Sequence, residues 1–379
     1  MKIGILFPLS NVHPGMGMDF MDGLNSFLKY KQHTGSVSFL KEGIGFGAME
    51  KDVFIKAQKL LISDDVDLLI AYVDEKILPV LYPLAQATGK LMLVVNPGAN
   101  YPVNWIAQPT VIQLNLQHAF LCWLSGALAA RSGNGHAALA TTYYDCGYMH
   151  AAAMVKNLLD AGGDIKFNYI NNQAYNDSFE ISQLTNFLSA NSSCENLVCV
   201  FDEQPAALFY RHLDDYTAAG RLHLFVSPMM LQEKAIKAHD SGFAYSVEGF
   251  IPWHAGMENE MNEVFVRTIS RPATIFSLLG WETAIIIDEL LQTFKDDSSN
   301  GDALVAHLKN RSLSSPRGSL KLDAETQFYV SPAIQYKLEA GSKIPGMAII
   351  PDLEKEWRAF TSKPTEGAIT GWMNTYLCY

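Results

Sequence analysis

Cysteine is scarce in this 379-residue chain, with five residues (Cys122, Cys146, Cys194, Cys199 and Cys378). An odd number at sparse spacing argues against a disulfide framework, and they read as free thiols or core fillers. Cys194 and Cys199 lie close in sequence, but no second pair or neighbouring histidine completes a zinc site. The ten histidines are scattered without metal-ligand spacing, so no metal and no cofactor is expected. Charge is also low, at 18% of residues, and its balance is −11 with no cluster of Lys and Arg on one segment. That argues against nucleic acid or an anionic membrane surface as partner. No apolar run approaches the roughly eighteen residues of a membrane-spanning helix. The N-terminus shows no apolar leader, because a strand begins right after Lys2. Either a leader was trimmed, giving a periplasmic or extracellular protein, or the protein stays in the cytoplasm.

Catalytic signatures are missing as well. The chain has no G-x-S-x-G elbow, no Walker A sequence and no H-E-x-x-H. Gly43, Gly45 and Gly47 come too close together for a dinucleotide fingerprint and read as a strand-end turn. Ser26 and Lys29 form an S-x-x-K, but on the face of an amphipathic helix. A protein that binds rather than catalyses is the expectation.

What is present is a repeating pattern of buried strands and amphipathic helices at a period near 30 residues. The chain opens with KIGILFPLS, a short apolar run that suits a central parallel strand. Ser10, Met16 and the glycines 15, 17 and 23 follow at its carboxyl end, where open α/β sheets gather their ligands. Helical periodicity follows over 19–30, 53–62 and 77–87, the last interrupted by Pro79 and Pro83. Strands are expected over 37–40, 66–73 and 91–95. A second series has helices over 117–130, 149–161, 178–190 and 206–219. Its strands fall over 137–142, 165–170, 197–201 and 222–226. A length of 379 residues favours two such lobes over one core. The remainder does not repeat: a crossing strand at 248–252, a long helix over 274–294, a shorter one over 301–309, and a hairpin-like pair at 319–322 and 327–338.

These segments, in this order, resemble the type I periplasmic binding proteins of the branched-chain amino acid and amide group. The resemblance is carried by KIGILFPLS, VDLLIAYVDEK, LMLVVNPGANYP, TTYYDCGYMHAAAMVKNLLDAGG, SVEGFIP, the helix around GWETA, and SSPRGSLKLDAETQFYVSPAIQYKLE. The last forty residues fall outside it. It implies an α/β fold of two Rossmann-like lobes with parallel sheets, joined by a hinge of three crossings. Lobe one would comprise 1–114 and 252–327, and lobe two 115–251 and 328–379. The implied activity is capture of a small polar ligand, an amino acid, amide or related compound, for an ABC transporter permease. A cytoplasmic sensor of the amide-responsive type is the alternative.

The resemblance also places the ligand-binding residues on the strand-end loops. The loop Tyr72-Val73-Asp74-Glu75-Lys76 stands where small serines are usual, and its acids either face the ligand or cap the following helix. Gly98 and Asn100 lie in the turn after the next strand, Asn100 where a Thr is common. Tyr148 matches a cleft tyrosine of the second lobe, and Asp202 opens another contact loop. Met229 replaces an acid that would hold an α-ammonium. The expected ligand is therefore small, neutral or with a cationic or amide end, rather than a plain branched amino acid.

Overall fold

Short apolar runs bounded by turn residues form the buried parallel strands, and the amphipathic runs form the helices that carry the chain back between them. The structure is a computed structural model and describes residues 1–143, 149–172, 179–237, 242–257, 259–293, 300–362 and 376. In the first sheet β1 (Lys2–Phe7), β2 (Ser38–Gly43), β3 (Leu68–Tyr72), β4 (Leu91–Asn96) and β5 (Val111–Asn115) run parallel in the order β2-β1-β3-β4-β5. Helices α1 (Met16–Tyr30), α2 (Glu50–Gln58) and α3 (Leu78–Thr88) make the returns.

The second sheet repeats that order. Strands β6 (His136–Thr142), β7 (Asp164–Asn171), β8 (Asn196–Val200), β9 (His223–Val226) and β10 (Ser246–Ile251) are arranged β7-β6-β8-β9-β10 and are parallel. They are served by α4 (His118–Arg131), α5 (Met149–Asp160), α6 (Ser182–Ala190), α7 (Glu203–Asp214) and the short α8 (Glu233–Lys237). Both sheets therefore change direction next to their first strand, and open α/β sheets bind ligands beyond such switch points.

The rest of the chain stitches the lobes together. After β10 it returns to the first lobe as α9 (Glu260–Ile269), α10 (Ile275–Thr293), which packs along α1, and α11 (Gly301–Lys309), which lies on β4. A small antiparallel sheet of β11 (Ser312–Ser315), β12 (Gly318–Leu322) and β13 (Tyr329–Val330) joins β5 through a bridge between Gln113 and Phe328. The chain then crosses again, adding β14 (Ala333–Leu338) antiparallel to β10 at the edge of the second sheet, and β15 (Gly346–Ile350) antiparallel to β14. Helix α12 (Glu354–Thr361) finally packs on α4, with Trp357 edge-on to Phe120 at 5.3 Å.

Glycine sets how closely the helix pairs approach. A Cβ on Gly280 of α10 would lie 1.9 Å from the carbonyl oxygen of Phe20 in α1, and one on Gly23 1.9 Å from that of Ser277. The second lobe repeats the device, with Gly126 of α4 against the Met154 carbonyl of α5 at 2.0 Å. Backbones in contact leave no room for one helix of a pair to slide over the other.

Several local expectations shift. The segment 111–115 is a fully buried strand rather than connecting chain: Gln113 breaks its apolar run, yet its side chain is buried against Glu75. Pro83 does not interrupt α3, and Pro79 occupies its first turn, where no backbone donor is required. The expected strand 327–338 divides at Ser331-Pro332 into β13 and β14, which belong to different sheets. The second sheet is mixed, because β14 runs antiparallel to both its neighbours, β10 and β15.

Candidate functional site

A cavity of about 560 Å³ lies between the lobes. On the first-lobe side its wall is the loop after β1 and the 271–276 stretch leading into α10. The loops after β8 and β9, together with Trp253 on the crossing, close the other side. The β1 loop is held by Ser10, whose hydroxyl accepts the backbone N–H of His13 at 3.0 Å. Helix α1 then starts at Met16, and Gly17 lets it sit close to the strand end, since a Cβ there would meet the Phe7 ring at 2.3 Å. His13 and Met16 are thereby fixed on the cavity wall.

Across the cavity, Asp202 caps α7 by accepting the Glu203 N–H at 2.8 Å with Oδ1. Its Oδ2 faces Nε2 of His13 at 3.6 Å, so the loops beyond the two switch points look at each other. Among the described residues His13 Nε2 has no hydrogen-bond partner. Several other cavity charges are paired on site. Arg271 contacts Asp19 at 2.6 Å and Asp22 at 2.7 Å, Thr274 donates to Asp19 at 2.8 Å, and Lys234 reaches Glu203 at 3.2 Å. The wall also has an apolar part, formed by the buried Met16, Met229, Trp253 and Phe276.

Behind this cavity lies a group of buried histidines. His118 and His150 are fully buried with ring centroids 6.2 Å apart. Burial holds His118 well below its ordinary pKa, and a proton on neighbouring His150 or the charge of Arg317 presses it lower still. His150 is pushed down to about 4 by burial, against a smaller upward pull from Asp202. Both imidazoles are neutral at pH 7. Among the described residues His118 Nε2 and both ring nitrogens of His150 are without hydrogen-bond partners, as are Ser227 Oγ and Thr141 Oγ1 at the ends of β9 and β6.

The sequence-expected residues divide into two sets. Met16, Asp202 and Met229 line the cavity, and Ser10 positions its loop. Tyr72, Asp74, Glu75, Gly98 and Asn100 do not line it. Tyr72 is fully buried, edge-on to Phe20 at 5.3 Å, because it closes a strand covered on both faces. Asp74 takes the helix-capping alternative: Oδ1 accepts the Lys76 N–H at 3.0 Å and Oδ2 accepts the Asn100 side-chain amide at 2.8 Å. Glu75 is buried beside it, and desolvation, then the charge of Asp74, raises its pKa to about 8 despite a hydrogen bond from Gln113. The loop therefore carries one proton more than two ionised acids would. Gly98 serves the turn itself, at φ +77°, donating its N–H to Asn96 at 2.8 Å. Tyr148 lies outside the described residues.

His13, His118, Trp253, Arg271 and Tyr376 were missed by sequence reasoning because they converge from distant segments. Only His13, next to Ser10 at the end of the first strand, sat where the sequence pointed.

Among the described residues no group of histidine, cysteine and acidic side chains is arranged to hold a metal ion. Cys122, Cys194 and Cys199 are buried and unpaired.

No protein-family model and no curated protein sequence matches the chain. Solved structures do. A solute-binding protein of an ABC transporter from R. palustris, in complex with benzoate, has a TM-score of 0.69 at 18% identity over 93% of this chain and 97% of its own. The substrate-binding protein of an ABC transporter from Sphaerobacter thermophilus has a TM-score of 0.74 at 16% identity, over 93% and 96%. A branched-chain amino acid transporter substrate-binding protein from Streptococcus pneumoniae, in complex with isoleucine, has a TM-score of 0.65 at 11% identity, over 92% and 99%. The repeated strand order, the crossings between the lobes and these likenesses give one conclusion: the chain has the two-lobed fold of the type I solute-binding proteins of ABC transporters.

Proposed function

We propose that this protein is a non-catalytic solute-binding protein that captures a small ligand between its lobes for ABC-type import. The observation that carries the reading is the cavity of about 560 Å³ at the facing switch points, walled by loops of both lobes. A ligand touching both walls binds the closed arrangement better than an open one. It shifts the equilibrium by that difference, and the crossings near 116, 252 and 331 act as the hinge. With these crossings lobe one would comprise 1–115 with 253–330, and lobe two 117–251 with 332–379. Capture for import would place the protein in the periplasm or outside the cell, delivering to a permease. Among the described residues no helix is long and apolar enough to cross a membrane.

The ligand class follows from the wall. Met16, Met229, Trp253 and Phe276 suit an apolar, ring-sized body, and the His13–Asp202 pair suits one neutral donor, amide or cationic end. Met229 offers nothing to an α-ammonium, which argues against a plain branched amino acid. The benzoate found in the R. palustris neighbour supports a ring, the isoleucine in the S. pneumoniae neighbour an aliphatic body. Calorimetry of the full chain with benzoate, 4-hydroxybenzoate, benzamide, urea, leucine and isoleucine decides. Binding of an aromatic or amide compound, weakened at least tenfold by Asp202→Asn, is expected. Tight leucine binding with no response to the others would overturn the ligand class. No binding by any compound, in this chain or with the cavity cleared of Tyr376, would overturn solute capture.

A further inference from the structure

Tyr376 is the feature that the reading above leaves unexplained. It stands fourteen positions beyond Ser362, yet its side chain lies in the inter-lobe cavity and is only 1% exposed. Its ring meets His13 at 5.4 Å and an interplanar angle of 31°, Phe276 edge-on at 5.9 Å and 82°, and His118 at 5.6 Å. His13 and Phe276 belong to the first lobe, while His118 begins the first helix of the second. Its hydroxyl shares a hydrogen bond with Nδ1 of His118. A phenol thus bridges both walls, boxed by rings and anchored at its oxygen.

From this geometry we infer a phenol-binding subsite between the lobes that the chain's own Tyr376 fills as a tethered occupant, in competition with any free ring-bearing ligand. The inference rests on the solute-binding reading and specifies one subsite of the same cavity. The anchor selects the chemistry. His118 is a neutral imidazole, fully buried, and a neutral imidazole pairs with a hydroxyl without leaving a charge in the interior. A carboxylate at the same point would be desolvated, and the charge of Arg317 is already balanced by Glu282 through two hydrogen bonds of 2.8 and 2.6 Å. The subsite therefore takes a neutral phenol in preference to an aryl carboxylate. A side chain covalently joined to the protein competes intramolecularly rather than from solution. A free ligand must outbid that, which sets a threshold on the concentration at which the protein responds.

The test is titration of p-cresol, the tyrosine side chain as a free molecule, into the full chain and its Tyr376→Ala variant by calorimetry. The variant is expected to bind p-cresol at least tenfold more tightly than the unchanged protein, and to bind p-toluate at least tenfold more weakly than p-cresol. Should Tyr376→Ala fail to fold, judged by circular dichroism and melting, Tyr376→Phe keeps the ring and loses only the hydroxyl. It is then expected to bind p-cresol at least threefold more tightly than the unchanged protein. Equal p-cresol affinity with and without the Tyr376 hydroxyl and ring, or no p-cresol binding by a folded variant, overturns the inference. The solute panel run on the same variant separates the two readings. A panel compound bound equally by both proteins would leave solute capture standing and remove the tethered ring. Tighter p-cresol binding without any panel ligand would do the reverse.

Discussion

Replacing Glu75 by Gln should change how the protein's stability depends on pH. Glu75 is buried at the start of the turn after β3, next to Asp74, and its pKa is raised from 4.5 to about 8. The unfolded chain loses this proton near pH 4.5 and the folded protein near 8. Between those values the folded state binds more protons, so stability falls as pH rises, by about 1.4 kcal/mol per unit at most. Over pH 5 to 8 this single group costs the native protein about 3 kcal/mol. A glutamine has the same shape, can still be reached by Gln113, and has no proton to lose. Urea denaturation of both proteins at pH 5, 6, 7 and 8 isolates the effect, because the other titrating groups cancel in the difference. The gap between Glu75→Gln and the unchanged protein should widen by about 3 kcal/mol in favour of the variant. Curves that stay parallel within about 0.5 kcal/mol would mean that Glu75 is ionised in the fold, and the reasoning would fail.

The Arg317–Glu282 pair ties the hairpin before the last crossing to α10, and Arg317 also donates to the Asn115 carbonyl at 3.2 Å where the first crossing starts. Both side chains are fully buried, so Arg317→Met should cost about 3–5 kcal/mol in urea denaturation, while adding Glu282→Leu should recover more than half. A single substitution costing under about 1 kcal/mol would show that the charge is not stranded. Gly280→Ala should cost at least about 2 kcal/mol by forcing α10 off α1. Gly15→Ala, with open space around it, should stay within about 0.5 kcal/mol, and equal effects at the two sites would refute the close-approach argument.

The sheets were legible because a strand covered on both faces must be apolar throughout, and runs such as KIGILF, LMLVV and NLVCV admit few other readings. Strand β5 was not, because a buried Gln113 whose amide donates to a distant Glu75 looks polar in sequence. The site was legible only as a set of loops. Position at a strand end says that a residue is near the cleft, but not which way its side chain turns. Asp74 illustrates the limit: an acid just before a helix start can face a ligand or cap the helix, and the Lys76 N–H and Asn100 amide took both its oxygens. Asp202 caps a helix too, yet retains an oxygen toward His13. Contacts of His118 and Tyr376, 258 positions apart, have no local signature at all.

The internal bonding of the loops after β3 and β4 has a consequence for how this protein could change its ligand. Asp74 and Asn100 hold each other, and Glu75 leans on Gln113, so these loops behave as scaffold. Substitutions there would be felt first as lost stability. Under the proposed function, the first-lobe share of recognition would fall on residues 12–16 and 271–276, two short stretches of the cavity wall anchored by Ser10 and by Asp19. A descendant with a new ligand preference would therefore carry its differences in those stretches and in the second lobe, with the third and fourth strand ends left untouched.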